Sequence, residues 1–177
     1  MELIKLIDVD FSNMEHASLI ARWTNDISIK HFITISKNQD EVEKIYLAQD
    51  FYRATPKPRS WIKVSKFFQY KDELIGYGDI EIDPPYCKYE EKNTAWLSIL
   101  IGERKFRGLG LGQKFFQKLE EYCIEKEVKQ IELSVSELNS NALKMYKKLG
   151  YEQFLYVPDV SFYEGKFRGD YRLIKKI

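Results

Sequence analysis

The chain has 177 residues, 44% hydrophobic and 15% aromatic, which is length and apolar material enough to bury a core in a single domain spanning residues 1–177. Lysine and arginine number 28 against 27 acidic residues, a formal charge of +1, so there is no global field for nucleic acid or an anionic membrane and any attraction for an anion has to be local. Cys87 and Cys123 have neither metal-ligand spacing nor the density of a disulfide framework, His16 and His31 are the only imidazoles, and no leader-like or membrane-length apolar run is found; no metal is expected, and a reducing cytoplasmic setting is.

Residues 2–8 alternate as a first strand. Ser12-Asn13-Met14-Glu15 has the form of a capping box, and His16, Leu19, Ile20, Trp23 and Ile27 then recur at helical spacing. His16 lies at the edge of that face and carries no assigned role. Asn38-Gln39-Asp40-Glu41 is a second box, ahead of Val42, Ile45, Tyr46 and Gln49. Residues 54–60, with Pro56 and Pro58, form a loop. Trp61–Phe68 reads as a strand, Lys71-Asp72-Glu73 as a turn, and Leu74–Asp83 as the returning strand of a hairpin that Pro84-Pro85 stops. Asp79, Glu81 and Asp83 alternate with Ile80 and Ile82, so the three carboxylates share one face. That face could hold a cation or a proton acceptor, or be plain solvated surface.

Ala95–Ile101 is the third strand of this sheet. Arg107-Gly108-Leu109-Gly110-Leu111-Gly112 follows, and then a helix with Leu111, Phe115, Leu119, Tyr122 and Cys123 on one face. Glycines allow positive φ and close approach of a ligand to the backbone, and a helix N-terminus offers unpaired N–H groups and a positive dipole end. The segment therefore reads as a phosphate cradle, with Arg104, Lys105, Arg107 and Lys114 crowded around it. A dinucleotide fingerprint starting at Gly108 would need a third glycine where Gln113 stands, and a Walker loop lacks its Gly-Lys-Ser/Thr. Gln130–Ser136 is a strand and Asn139–Leu149 a helix, with Ala142, Met145, Tyr146 and Leu149 on one face, Asn139 as cap and Gly150 in the left-handed position after the last turn. Tyr146 alone would also fit a core position. Two short strands, about Gln153–Val157 and Asp170–Lys175, lie around Gly165 and Gly169. The order of elements predicts an α/β (α+β) fold with a mixed, largely antiparallel central sheet and helices on both faces.

Arg107-x-x-Gly110-x-Gly112 resembles the pyrophosphate loop of the GNAT N-acetyltransferase superfamily. Asn139-x-x-Ala142-x-x-x-Tyr146-x-x-x-Gly150-Tyr151 resembles that superfamily's later motif, in the right order with a strand between. The resemblance implies the GNAT fold and acetyl-CoA as cosubstrate. The loop Arg107, Gly108, Leu109, Gly110, Leu111, Gly112 and Gln113 would hold the pyrophosphate, with Asn139 and Tyr146 also at the cofactor. Pantetheine would insert between Ser98–Ile101 and Ile131–Val135, and an N–H of Ile99, Leu100 or Ile101 would polarise the thioester carbonyl. Tyr146 takes the place of the acid that protonates the departing sulfur. Some relatives carry a glutamate five residues before the motif asparagine; here that residue is Ser134, so the base has to be sought elsewhere, and Glu81 is the candidate. Trp-x-Asn-Asp at Trp23–Asp26 is similar to the branch of ribosomal-protein N-terminal acetyltransferases, which also includes enzymes of polyamines and amino sugars.

The expected acceptor is a small-molecule or peptide primary amine, walled by Trp23 and Phe32 and drawn by Asp79, Glu81 and Asp83; a homodimer is compatible with this reading. An aminoglycoside 6′-N-acetyltransferase is the enzymatic rival, with Glu90 and Glu91 adding to the carboxylates a polycation would want. A non-catalytic acetyl-CoA sensor on the same fold is the rival of another class.

Overall fold

The computed structural model describes residues 3–53, 60–89 and 91–177. The proline loop expected at 54–60 and the carboxylate of Glu90 fall largely or wholly outside these residues. The strands are β1 (Ile4–Asp8), β2 (Ile62–Tyr70), β3 (Glu73–Ile82), β4 (Thr94–Ile101), β5 (Gln130–Ser136), β6 (Glu152–Tyr163) and β7 (Lys166–Lys176); the helices are α1 (Met14–Thr24), α2 (Lys30–Ile33), α3 (Gln39–Glu43), α4 (Leu111–Glu125) and α5 (Ser140–Lys148). Among the described residues these seven strands form one sheet in the order β1-β2-β3-β4-β5-β7-β6. Every neighbouring pair is antiparallel except β4–β5, which is parallel. The expected mixed sheet is therefore present.

Two adjacent residues of β2 show how the helices divide between the faces. Phe67 and Phe68 are both fully buried, and successive strand residues point to opposite sides. Phe68 joins Leu97, Phe115, Leu119, Ile131 and Leu133 in the core that α4 and α5 cover. Phe67 joins Ile20, Trp23 and Leu100 beneath α1. Burying each ring contributes on the order of 2–3 kcal/mol, so both faces need a helix over them.

The helical N-termini depart from the sequence reading in register. Asn13, not Ser12, caps α1: its Oδ1 accepts from the amides of Glu15 at 2.8 Å and His16 at 3.4 Å. Ser12 instead donates to Asp10. Ile27 is 81% exposed because the helix has ended at Thr24. At the second box Asn38 does cap, accepting from Glu41 N at 2.9 Å, but Glu41 reaches back to the Lys37 amide rather than to Asn38. That helix ends at Glu43. Ile45, expected on its apolar face, is exposed. A short helix without a packed stripe gains little beyond its cap.

The closing hairpin is longer than expected. β6 and β7 run to the turn at Glu164-Gly165, and Gly169 lies inside β7. A Cβ at Gly169 would stand 2.2 Å from the Tyr156 hydroxyl, so that glycine serves packing rather than a loop.

Candidate active site

The parallel pair β4–β5 holds for only three register pairs, Thr94–Gln130, Ala95–Ile131 and Trp96–Glu132. From Leu97 to Ile101 the β5 side of β4 has no recorded strand partner, although both strands continue. Unpaired backbone at the centre of a sheet demands a partner, and here an extended ligand could supply it. Ser98 is solvent-exposed in this central strand, so the sheet is open to solvent at that point.

The glycine loop stands at the upper end of this opening. Gly108 and Gly110 have φ of +77° and +75°, and a Cβ on either would meet nothing within 4 Å. Gly110 is the N-cap of α4 and offers no side chain to the first amides of the helix. The first amides of α4 thus have no side-chain cap and the space beside Gly108 and Gly110 is open, as an anion-binding helix start requires. Leu109 is exposed, whereas Leu111 is buried as the first core residue of α4. Gln113 follows in the first turn of α4. Gly112 faces Ile101, Ile99 and Met145, at 3.7–3.8 Å from where its Cβ would be.

Arg104, Lys105 and Arg107 are occupied by protein partners. Arg107, expected at the cofactor, donates from Nε to Ile101 O at 2.7 Å, from Nη1 to Ser28 at 2.9 Å, and from Nη2 to Asp26 at 2.9 Å and Gly102 O at 2.6 Å. Arg104 pairs with Asp26 and Lys105 with Glu73. Arg107 thus fastens the end of β4 to the loop after α1, so the loop's affinity for an anion rests on backbone amides rather than on this guanidinium. The Arg104 guanidinium, with Ser28 and Arg107, holds the Asp26 carboxyl far below the ordinary aspartate range despite the opposing effect of burial.

Tyr146 projects from α5 toward the core. It is 6% exposed, with its ring edge-on to Phe116 at 4.9 Å and to Tyr151 at 5.8 Å. Its hydroxyl makes no recorded hydrogen bond, yet it is not among the buried polar atoms without a partner, so it reaches accessible space. Burial pushes its pKa up, which keeps the proton on the oxygen at neutral pH. Asn139 caps α5, accepting from Ala142 N at 3.1 Å.

On the α1 face, register places a row of polar residues across the opening. Asp79 on β3 is opposite Ser98 on β4. Extending the Trp96–Glu132 register by two residues puts Ser134 of β5 across the gap from Ser98, and Ser134 is opposite Arg172 of β7. Asp79 accepts from Lys63 at 2.9 Å and from Ser65.

Glu81, expected as the base, is buried beneath this row. It accepts from the Trp61 indole at 2.6 Å and lies 3.4 Å from Lys63 Nζ. Burial alone would raise its pKa, but the Trp61, Tyr86 and Lys63 donors outweigh it and hold the carboxyl below its usual value. Such a carboxylate is a weak proton acceptor. Asp83 leaves the acidic face altogether: β3 ends at Ile82, Asp83 has φ of +53°, and its Oδ1 accepts from Thr94 N at 2.9 Å.

The apolar floor expected from Trp23 and Phe32 is not assembled. Trp23 is 2% exposed, stacks on Tyr77 at 6.4 Å and donates to Glu103 at 2.9 Å. It lies beneath Gly102, where a Cβ would be 2.1 Å from the indole. Phe32 belongs to α2, against His31. The local pattern at Trp23 fits a core position as well as a floor, and only packing distinguishes them.

Among the described residues no cluster of His, Cys, Asp or Glu could hold a metal ion, and no helix is long and apolar enough to cross a membrane.

The parted strands, the glycine-capped helix and the α5 motif define an acyl-CoA-dependent acyltransferase fold. The chain belongs to the acetyltransferase (GNAT) family, whose model matches residues 21–151. It is similar to the spermine/spermidine N(1)-acetyltransferase of Bacillus subtilis, 27% identical over 84 residues, which are 47% of this chain and 55% of that protein. The chain thus spans about half the length of the curated relatives it matches. Among solved structures, a ribosomal-protein-alanine N-acetyltransferase from Brucella melitensis superimposes with a TM-score of 0.73 at 15% identity, covering 99% of this chain and 100% of that one. Spermidine N-acetyltransferase from Vibrio cholerae, in complex with CoA and spermine, does so with a TM-score of 0.70 at 15% identity, covering 98% and 95%. At these identities the superpositions speak for the fold.

Proposed function

We propose that this protein transfers the acetyl group of acetyl-CoA to a primary amine, of the kind that polyamines and protein N-termini present. The observation that carries the reading is the parting of β4 from β5 after Trp96–Glu132, directly below the open amides of Gly108–Gln113. The residues fit acetyl-CoA: an amide-lined helix start for a pyrophosphate, an unpaired strand edge at Leu97–Ile101 for an amide-bearing arm, and Ile99, Ile101 and Met145 as an apolar wall. Acetyl-CoA supplies an activated thioester. The chain's own contribution is to hold it, to present a strand N–H within Ile99–Ile101 to the carbonyl oxygen, and to supply a proton to the departing sulfur from the Tyr146 hydroxyl. The free thiol is a weak acid, with a pKa of about 8.5, so protonation assists its departure.

The amine approaches from the α1 face at Ser98, between the β3 and β7 sides of the opening. Asp79 and Glu81 share Lys63 and Asp83 is turned away, which leaves fewer free carboxylates than an aminoglycoside would want. A purely sensing module would have no use for an unpaired hydroxyl at Tyr146. The test is release of free thiol from acetyl-CoA with a panel of peptide N-termini, polyamines, amino sugars and aminoglycosides. Turnover with one class of amine supports the transferase. CoA binding without turnover on any of them would favour the sensor.

A further inference from the structure

The Ser134 hydroxyl, on the β5 side of the opening, donates to the Asp170 carboxylate at 2.6 Å. The two residues lie on adjacent strands, with Ser134 opposite Arg172 and Ser136 opposite Asp170. Asp170 therefore lies on the same face of the sheet as Ser134 and one register step beyond it, at the β7 side of the opening over Ser98. Both residues are only partly buried. We propose that Asp170 is the general base of the amine transfer, acting directly or across the Ser134 hydroxyl. The inference rests on the transferase reading above.

The surroundings suit a proton acceptor. Arg168 and Arg172 flank Asp170 two residues away on β7. Arg172 is held by Glu132 at 3.3 Å and lies over the Trp96 ring at 4.6 Å, Arg168 pairs with Glu164 at 3.3 Å, and Ser134 donates the hydrogen bond that Asp170 accepts. Glu137, just beyond β5, faces Asp170 as a second negative charge and is itself bonded by Tyr156 of β6. Across β6 the register partner is Val157, with Asp159 two residues on. Burial raises the Asp170 pKa; the Ser134 bond and the Arg172 charge oppose this, and Glu137 adds to it. Glu81 differs, since the Trp61, Tyr86 and Lys63 donors hold it in the charged form, and Asp79 is already paired with Lys63 at 2.9 Å.

The proton count closes. An ammonium acceptor, with a pKa near ~10, gives one proton to Asp170, directly or as Ser134 passes its own to Asp170 and takes one from the amine. The freed lone pair forms the N–C bond to the acetyl carbon while the C–S bond breaks. The nitrogen's second proton passes to solvent as the amide forms, and Tyr146, having delivered its own proton to the thiolate, regains one from solvent. The products are the amide, the free thiol and a protonated Asp170, which solvent then restores.

The experiment compares wild type, Asp170→Asn and Ser134→Ala by kcat, acetyl-CoA KM, pH profile and thermal melting, on the best amine of the panel. Asn still accepts from Ser134 and removes an ionised carboxylate that burial disfavours, so Asp170→Asn should melt no lower than wild type. Its kcat should fall about 100-fold or more, with acetyl-CoA KM unchanged, and the acid limb belonging to Asp170 should vanish. Ser134→Ala should move that limb to higher pH, because the bond favouring the carboxylate is gone. A folded Asp170→Asn protein with kcat within about twofold of wild type and the same acid limb, or a Ser134→Ala limb that does not move, would overturn the assignment while leaving the transferase reading in place. A wild type that releases no thiol with any amine would remove both.

Discussion

Nη2 of Arg107 lies 2.9 Å from Oδ2 of Asp26, joining the residue that opens the glycine motif to the loop after α1. The same guanidinium holds the carbonyls of Ile101 and Gly102. Planar, delocalised and permanently charged, it can serve several acceptors at once. Arg107 therefore sets where the glycine loop begins, and its influence on a bound pyrophosphate is through that position.

Arg107→Ala should destabilise the fold by about 2 kcal/mol, as expected for losing hydrogen bonds from a charged group, and should weaken CoA binding without abolishing it. Asp26 adds a pH signature. Its folded pKa is depressed, chiefly by Arg104, so its stabilisation is present above the unfolded value of about 3.9 and is lost as pH falls below that. Thermal melts from pH 7 to pH 3 should drop more steeply for wild type than for Asp26→Asn.

Gly110→Val should abolish CoA binding in calorimetry. It should also cost about 1–2 kcal/mol of stability, because φ at this position is +75° and a side chain is strained there. Gly112→Ala separates the two effects. Its Cβ would sit at ordinary contact distance from Ile101, Ile99 and Met145, and alanine gains about 1 kcal/mol over glycine in a helix. That variant should melt no lower than wild type and bind CoA more weakly. Unchanged affinity would mean that the groove wall at Gly112 does not touch the ligand.

Tyr146→Phe should lower kcat about 100-fold, the usual scale for losing a general acid, with little change in acetyl-CoA KM. Melting should barely shift, since the hydroxyl makes no hydrogen bond among the described residues and the ring contacts with Phe116 and Tyr151 remain. Equal turnover of the two proteins would make Tyr146 a core residue.

Glu81→Gln should lower the melting temperature and leave the acid limb of kcat in place. Trp61, Tyr86 and Lys63 all lean on the charged carboxylate, so removing its charge leaves a half-buried ammonium less well matched, at a cost of about 1–3 kcal/mol. A kcat loss as large as that expected for Asp170→Asn would return the role of base to Glu81.

Much of the site was legible from the chain alone because its signals are local. The left-handed glycines, the helix start after them, and the capped α5 with Tyr146 on its apolar face depend on residues within a few positions of one another. β5 was read to its observed ends for the same reason. Residues whose partners are distant in sequence could not be placed that way. Arg107 looked free for a phosphate until folding brought Asp26 and Ser28 to it. Glu81 looked like a base until Trp61, Lys63 and Tyr86 closed on it. Trp23 looked like a wall until Gly102 covered it. Asp170 carried no signal of a catalytic role, only of a strand start, because what distinguishes it is the pairing of β5 with β7, which sets it beside Ser134 across 36 positions of sequence. Local chemistry determined which backbone conformations and faces this sequence forms. The tertiary structure decided which charges are already satisfied and which remain available for work, because that depends on partners that only the sheet register brings within hydrogen-bonding reach.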